Sequence, residues 1–496
     1  MSHRRQTNLL ALAVAFLFLL APATVHGQAG GSLDLGALLR ERDPETLISS
    51  LKDEAQEKEI RSRWARLVTE DSHIAAQRNQ SDLYTELHPK LYPNPSLQAY
   101  VNRLGQSLIP KEASDNIFVT FKILEDPVPY IESLSTGTIY LSSGMISLLD
   151  NESQLAFLLM REASHVLLSH HLYQMVQEKV AEKRANKIRL IGSVLGAVVG
   201  GVVGGKNDAV KGAAIGLAAA EVAEQAQRYR FSKEILLESD QFATQVLLQH
   251  SFDAREAPTL MTKVASIVRR SGAAVEVAFA DSGDLALRST KVKELLGSSY
   301  QPVVTRILSD KGFRISSPRY SQLMSELKRD NGLLALKLDL FVIARSNLEE
   351  AAAVRTDDPL TMYGLGVLYR TVGRTDEDVA RASSYLKSAM QFDEIRHRFP
   401  EAYLQYAVEL LSREDPQRYP EIQKALRSYV VLYQRNSGGV LPREMPFVYD
   451  YLDLTGDRGW IAYKVSNVSS NAPYQLTGDA KVDGPVEPAE KRPTKK

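Results

Sequence analysis

The stretch Leu158-Leu159-Met160-Arg161-Glu162-Ala163-Ser164-His165-Val166-Leu167-Leu168-Ser169-His170-His171 decides how the rest of the chain is read. Its apolar residues recur at helical spacing. Glu162 and His165 stand where an H-E-x-x-H helix places its general base and its second histidine. In that pattern two histidines four residues apart share a helix face, and the Glu after the first His activates a metal-bound water. The first ligand position here is Arg161, whose guanidinium keeps its proton and offers a cation no lone pair. The helix therefore has the layout of a zinc site and lacks a ligand.

Working outward, Asp150 is expected to cap this helix, which runs from Gln154 to His171. His170 and His171, carried along the same helix, fall off the face of His165 and belong at its C-terminal end, where the dipole favours cations. Upstream, Ser96 to Gly105 is amphipathic with apolar residues at 97, 100, 101 and 104, and ends at Gly105 or Pro110. Phe118–Leu124 and Gly137–Gly144 alternate as two strands. Downstream, helices are expected through Gln249 and from Ala257 to Arg269, closing a domain over residues 80–317. A small sheet followed by the key helix is a peptidase-like core.

The composition excludes several classes. Sixty basic and sixty acidic side chains cancel, so no overall field attracts nucleic acid. There is no cysteine, hence no disulfide and no thiolate ligand. Residues 1–27 combine Arg4 and Arg5, an apolar run from Leu9 to Leu20 and a small-residue end, the layout of a cleaved signal peptide. An exported, cysteine-free chain of 496 residues suits a bacterial periplasm.

A helical arm is expected over residues 28–79, with Pro44 starting a helix after Asp43. Ile191 to Gly205 is rich in Gly and Val and short against the ~20 residues of a span. Small residues four apart allow close helix packing, so a packed hairpin and a peripheral membrane contact both remain open. From Gly332 to residue 436, small residues recur where paired helices would cross, a degenerate tetratricopeptide-like pattern. A C-terminal extension over 437–476 holds a possible strand, Trp460–Val465, and residues 477–496 have a disordered composition. The fold class is mainly α with a small β-sheet, an α+β gluzincin-like domain followed by an α-helical repeat domain.

Tyr100-Val101 with Leu104-Gly105, Gly137-Thr138-Ile139-Tyr140-Leu141 with Gly144-Met145-Ile146, and Gln154-Leu155-Ala156 leading into Arg161-Glu162-Ala163-Ser164-His165 resemble the HtpX/BepA-type zinc metallopeptidases. These are the CAAX-prenyl-protease-like gluzincins of peptidase family M48, and the likeness covers about residues 80–310. A periplasmic branch of that family carries tetratricopeptide repeats after the peptidase domain. The resemblance implies zinc held by H-E-x-x-H, a third ligand from the Glu of an E-x-x-A-D helix, and in some members a switch His from an S-T-H-P stretch. At those positions stand Arg161, Leu236, if Asp240 is the motif Asp, and Lys291 in Ser289-Thr290-Lys291-Val292.

His165 is then the only retained ligand candidate and Glu162 a vestigial general base. No cofactor is expected, zinc being the family's own. Arg161 could replace the metal's charge by pairing with Glu162, Glu238 or Asp240, or could bend into solvent. The leading reading is an inactive metallopeptidase fold that binds polypeptide partners or clients in the cell envelope. Ile139, Tyr140, Leu141 and Ser142 would take an extended segment by strand addition, with the concave face of the repeats as a second surface. The alternative is an active zinc-dependent metalloendopeptidase with unorthodox ligands.

Overall fold

A computed structural model describes residues 33–79, 90–113, 118–194, 231–271, 282–393, 399–457 and Trp460. The leader over 1–27, the Gly-rich stretch beyond Val194, the strand expected after Trp460 and the tail over 477–496 lie outside the described residues. The chain divides into two compact units, the first drawn from Met1–Leu124 and Pro129–Ser316, the second from Glu125–Val128 and Ser317–Lys496. The fold is mainly helical with one small mixed sheet. Among the described residues no helix is long and apolar enough to cross a membrane.

In the first unit, α1 (Leu35–Glu41), α2 (Pro44–Ser49) and α3 (Glu54–Asn79) come first. Asp43 caps α2, its carboxylate accepting from Thr46 N, and Pro44 takes the first helical position, where no N–H is needed. These helices are not a detached arm. Leu47, Ile48, Leu51 and Ile60 pack with Leu172 and Val176 from beyond the key helix.

The sheet contains β1 (Lys90–Leu91), β2 (Thr120–Glu125), β3 (Ile131–Ser133) and β4 (Thr138–Ser142) in the order β1-β2-β4-β3. β2 and β4 are parallel, with Phe121 opposite Ile139; β3 and β4 are antiparallel, with Glu132 opposite Tyr140. Ahead of β2 runs α4 (Pro95–Leu108), capped by Asn94 and continuing through Gly105 instead of ending there. The glycine serves close packing: a Cβ at Gly105 would stand 2.2 Å from Phe121 Cε2. Gly105→Ala should therefore cost about 2 kcal/mol by overpacking, read as a lower midpoint in urea unfolding; an unchanged midpoint would refute the contact.

After α5 (Ser143–Ser147) comes the key helix, α6 (Glu152–Leu167), buried along its whole length. Its cap is Asn151, which accepts from Gln154 N at 2.9 Å, and not the expected Asp150, which pairs with Lys263 at 2.5 Å. The helix also ends earlier than the periodicity suggests. Ser169 adopts a left-handed φ of 48°, and a new helix, α7 (His170–Val194), starts at His170. α8 (Lys233–Gln249), α9 (Glu256–Ser271), α10 (Ser282–Gly297) and α11 (Gln301–Asp310) complete this unit. α6 packs against α8 and α9, and α8 against α10.

The second unit is a succession of packed helix pairs. They are α12 (Pro318–Lys337) with α13 (Phe341–Val354), α14 (Pro359–Val372) with α15 (Asp376–Asp393), and α16 (Glu401–Leu411) with α17 (Tyr419–Asn436). The last described helix is α18 (Met445–Leu454). Gly332, expected at the start of this region, lies inside α12, where a Cβ would meet Leu348 Cγ at 2.7 Å. The array thus begins at Pro318, capped by Ser317.

Candidate functional site

α6 sends Arg161, Glu162 and His165 into the interior of the first unit, at 2 %, 4 % and 1 % exposure. Arg161 does not bend to solvent. Its Nη1 donates to Glu162 Oε1 in a short contact, and its Nε lies 3.6 Å from Asp240 Oδ1 on α8. Asp240 is also gripped by Arg288 of α10, through Nε at 2.7 Å and Nη2 at 2.8 Å. Two guanidiniums and two carboxylates thus form one buried, formally neutral cluster. Arg288 reaches it because Leu285, Val292 and Leu296 give α10 a buried face on which it lies.

Lys291, expected among the site residues, is off that face, half exposed and paired with Glu294 at 2.7 Å. Leu236 is buried on α8, one turn before Asp240. Glu238 faces away from the Arg161 cluster, as a two-residue step on a helix demands. It takes Arg42 at 2.8 and 3.1 Å and His170 Nε2 at 3.1 Å. Arg42 in turn lies over the Tyr173 ring, 3.4 Å from its centroid.

The turn at Ser169 folds His170 back against His165, their Nδ1 atoms 3.0 Å apart. This corrects the reading of His170 as a helix-end residue remote from the site. Ser239 Oγ lies 3.4 Å from His170 Nδ1 and donates to Ile235 O at 2.9 Å. Phe231 stacks on the His165 ring, centroids 4.0 Å apart and planes within 10°. His171 Nε2 donates to the Ser133 carbonyl of β3 at 3.0 Å.

Burial sets the protonation states. It lowers the pKa of His165 well below the usual histidine value, with His170 and Arg161 adding to the effect. Burial also lowers His170, against the pull of Glu238, and brings His171 down to about 4 against Asp71. All three rings are neutral at pH 7. Burial pushes the Glu162 carboxyl upward against Arg161, whereas at Glu238 the push of burial is outweighed by His170 and Arg42, which lower it. Arg161 is lowered by burial from so high a start that it stays a cation.

The strand Ile139–Ser142 does not offer a peptide-binding edge. β4 is interior, with β2 on one side and β3 on the other, and Ile139, Tyr140, Leu141 and Ser142 are all fully buried. Strand addition needs unpaired backbone groups, and these are already in the ladder. Beside the site the edge is β3, where the Ser133 carbonyl already accepts from His171.

Residues 93–318 match the model of peptidase family M48. The likeness to that family covers just under half of the chain. Two relatives are similar to part of it: the beta-barrel assembly-enhancing protease of Yersinia pestis, 26% identical over 177 residues (36% of this chain, 34% of the relative), and that of Escherichia coli strain K12, 26% identical over 187 residues (38% and 36%). The chain spans about a third of the length of these relatives.

Zinc at the position that the family resemblance implies does not fit the residues present. Catalytic zinc takes three protein ligands and an open position. Of the positions that the resemblance marks as ligands, Arg161 holds an ion-paired guanidinium, Leu236, if Asp240 is the motif Asp, an alkyl group, and His165 stands beside an imidazole whose other nitrogen is engaged by Glu238. Among the described residues no three His, Asp or Glu side chains converge on a metal-holding geometry. Of the residues that shape the site, His170, Ser239, Phe231, Arg42 and Arg288 have no motif to announce them. Only Arg288 leaves a trace, as a lone cation on the apolar face of α10.

Proposed function

We propose that this chain is a catalytically silent M48-fold protein that binds polypeptide clients as a scaffold or chaperone-like factor in the bacterial cell envelope. The observation that carries the reading is Arg161, buried at the first ligand position and paired with Glu162 and Asp240. A guanidinium cannot ligate zinc, and at ~4 Å it would repel a dication by several kcal/mol at intermediate dielectric. Glu162 then has no metal-bound water to activate.

Other observations support the rest. The N-terminal composition is that of an exported protein, and the similar relatives are named for enhancing β-barrel assembly. The paired helices of the second unit, which we read as a degenerate tetratricopeptide array, provide a surface for an extended or helical polypeptide. With β4 interior, this array is the favoured client surface.

Elemental analysis of the purified protein tests the reading. It should contain less than about a tenth of an equivalent of zinc and leave casein uncut, whereas the double variant Arg161→His, Leu236→Glu should gain zinc. Near-stoichiometric zinc in the natural protein, with cleavage abolished by Glu162→Gln, would overturn it in favour of an active metalloendopeptidase.

A further inference from the structure

Several arginines of the second unit are held by carboxylates: Arg329 by Asp330 at 2.7 Å, Arg413 by Glu409 at 3.1 Å and Arg427 by Asp457 at 2.6 Å. Arg370 of α14, partly buried, is not. Among the described residues no carboxylate stands within ion-pairing distance of it, and its Nη1 donates to the Gln405 carbonyl of α16 across a long 3.4 Å. Glu409, whose field Arg370 feels, is already taken by Arg413. Burial lowers the pKa of Arg370 against the pull of Glu409, Tyr363 and Tyr451, and the guanidinium still keeps its proton. It is a cation that has given up part of its water without gaining a counter-ion, an arrangement that costs stability.

Apolar side chains stand on both sides of this cation. On α14, Tyr363 and Val367 precede Arg370 at helical spacing, share its face and are partly buried against the core of the unit. On α18, Tyr451 comes near enough to act on the charge of Arg370. Phe447 and Leu454 lie one helical turn to either side of Tyr451, on the same face, and each is 63 % exposed. An occupant that suits this surface carries a carboxylate for the guanidinium, which it can meet through two parallel hydrogen bonds, and apolar groups before and after it. An acidic side chain inside an apolar stretch of polypeptide has that order. A free chain end has apolar residues on one side of its carboxylate only.

We propose that Arg370 receives an Asp or Glu side chain of an apolar polypeptide segment, whose flanking residues lie on Val367 of α14 and on Phe447 and Leu454 of α18. This rests on the second unit being the client surface. The probe is a fluorescent peptide, Gly-Ser-Val-Leu-Glu-Leu-Val-Ser-Gly, blocked at both ends, with a counterpart carrying Gln for Glu. By fluorescence anisotropy the full chain should bind the Glu peptide at least about tenfold more tightly than the Gln peptide, and Arg370→Leu should abolish the difference. Phe447→Ser should weaken both peptides alike. Arg370→Leu should also melt no lower than the natural protein, whereas Arg427→Leu, which leaves Asp457 without its cation, should melt lower. Equal binding of the two peptides by the natural chain would overturn the role of Arg370 and leave the client reading standing; binding of neither would overturn both. A Gln peptide with a free terminal carboxylate that bound as tightly as the blocked Glu peptide would overturn the assignment to an internal acid, and a clear drop in melting temperature for Arg370→Leu would make the residue structural.

Discussion

Arg161→Ala should destabilise the first unit by about 3–5 kcal/mol, because it leaves Glu162 buried without the cation against which it is packed. For a domain of this size that lowers the melting temperature by roughly 10 °C. Asp240→Ala should be at least as severe. Asp240 serves two guanidiniums, and its removal leaves Arg161 and Arg288 facing each other in the interior without their shared carboxylate. Replacing charge on both sides, as in Arg161→Met with Glu162→Gln, should recover most of the loss, since apolar pairs of similar volume commonly match buried ion pairs. Calorimetry of the single and double variants measures the coupling directly. If Arg161→Ala melted with the natural protein, and the double variant gained nothing over it, the cluster would contribute no stability and Arg161 would be a passive substitution.

This cluster also shows where sequence is informative and where it stops. The missing ligand was legible, because H-E-x-x-H assigns a role to each position and Arg161 cannot fill its own. The sheet-plus-helix core and the paired helices followed from periodicity, and both are present. What failed was geometry set by a single backbone torsion or by contacts distant in sequence. Ser169 is not a residue that announces a left-handed turn, so helical extrapolation placed His170 on the wrong side of His165. Strand order is equally hidden: Ile139–Ser142 reads as a strand, but its interior place between β2 and β3 depends on the three residues Ile131–Ser133, too short to show alternation. Arg42 and Glu238 meet across 196 positions, and no local pattern joins them.

The three buried imidazoles give the first unit a steep response to mild acid. His165, His170 and His171 are neutral in the folded chain and titrate near pH 6.5 when unfolded. A histidine whose folded pKa is depressed contributes stability that is complete above its unfolded pKa and is lost as pH falls toward the folded value, which for His171 is about 4. The groups facing the three rings are Arg161, Arg288, Arg42, Glu238 and Asp71. Glu162, pushed upward by burial against Arg161, acts with the opposite sign: what its raised carboxyl contributes is lost as pH rises. Glu238, lowered in the folded state, matters only below about pH 4.5. Up to three protons are taken up on unfolding, and stability should fall by on the order of 3 kcal/mol or more from pH 7 to pH 5. Urea unfolding across that range measures the slope. His171→Gln should make the dependence shallower by one proton. A natural protein equally stable at pH 7 and pH 5 would mean that the imidazoles reach water, and that the closed, ion-paired interior described here opens in solution.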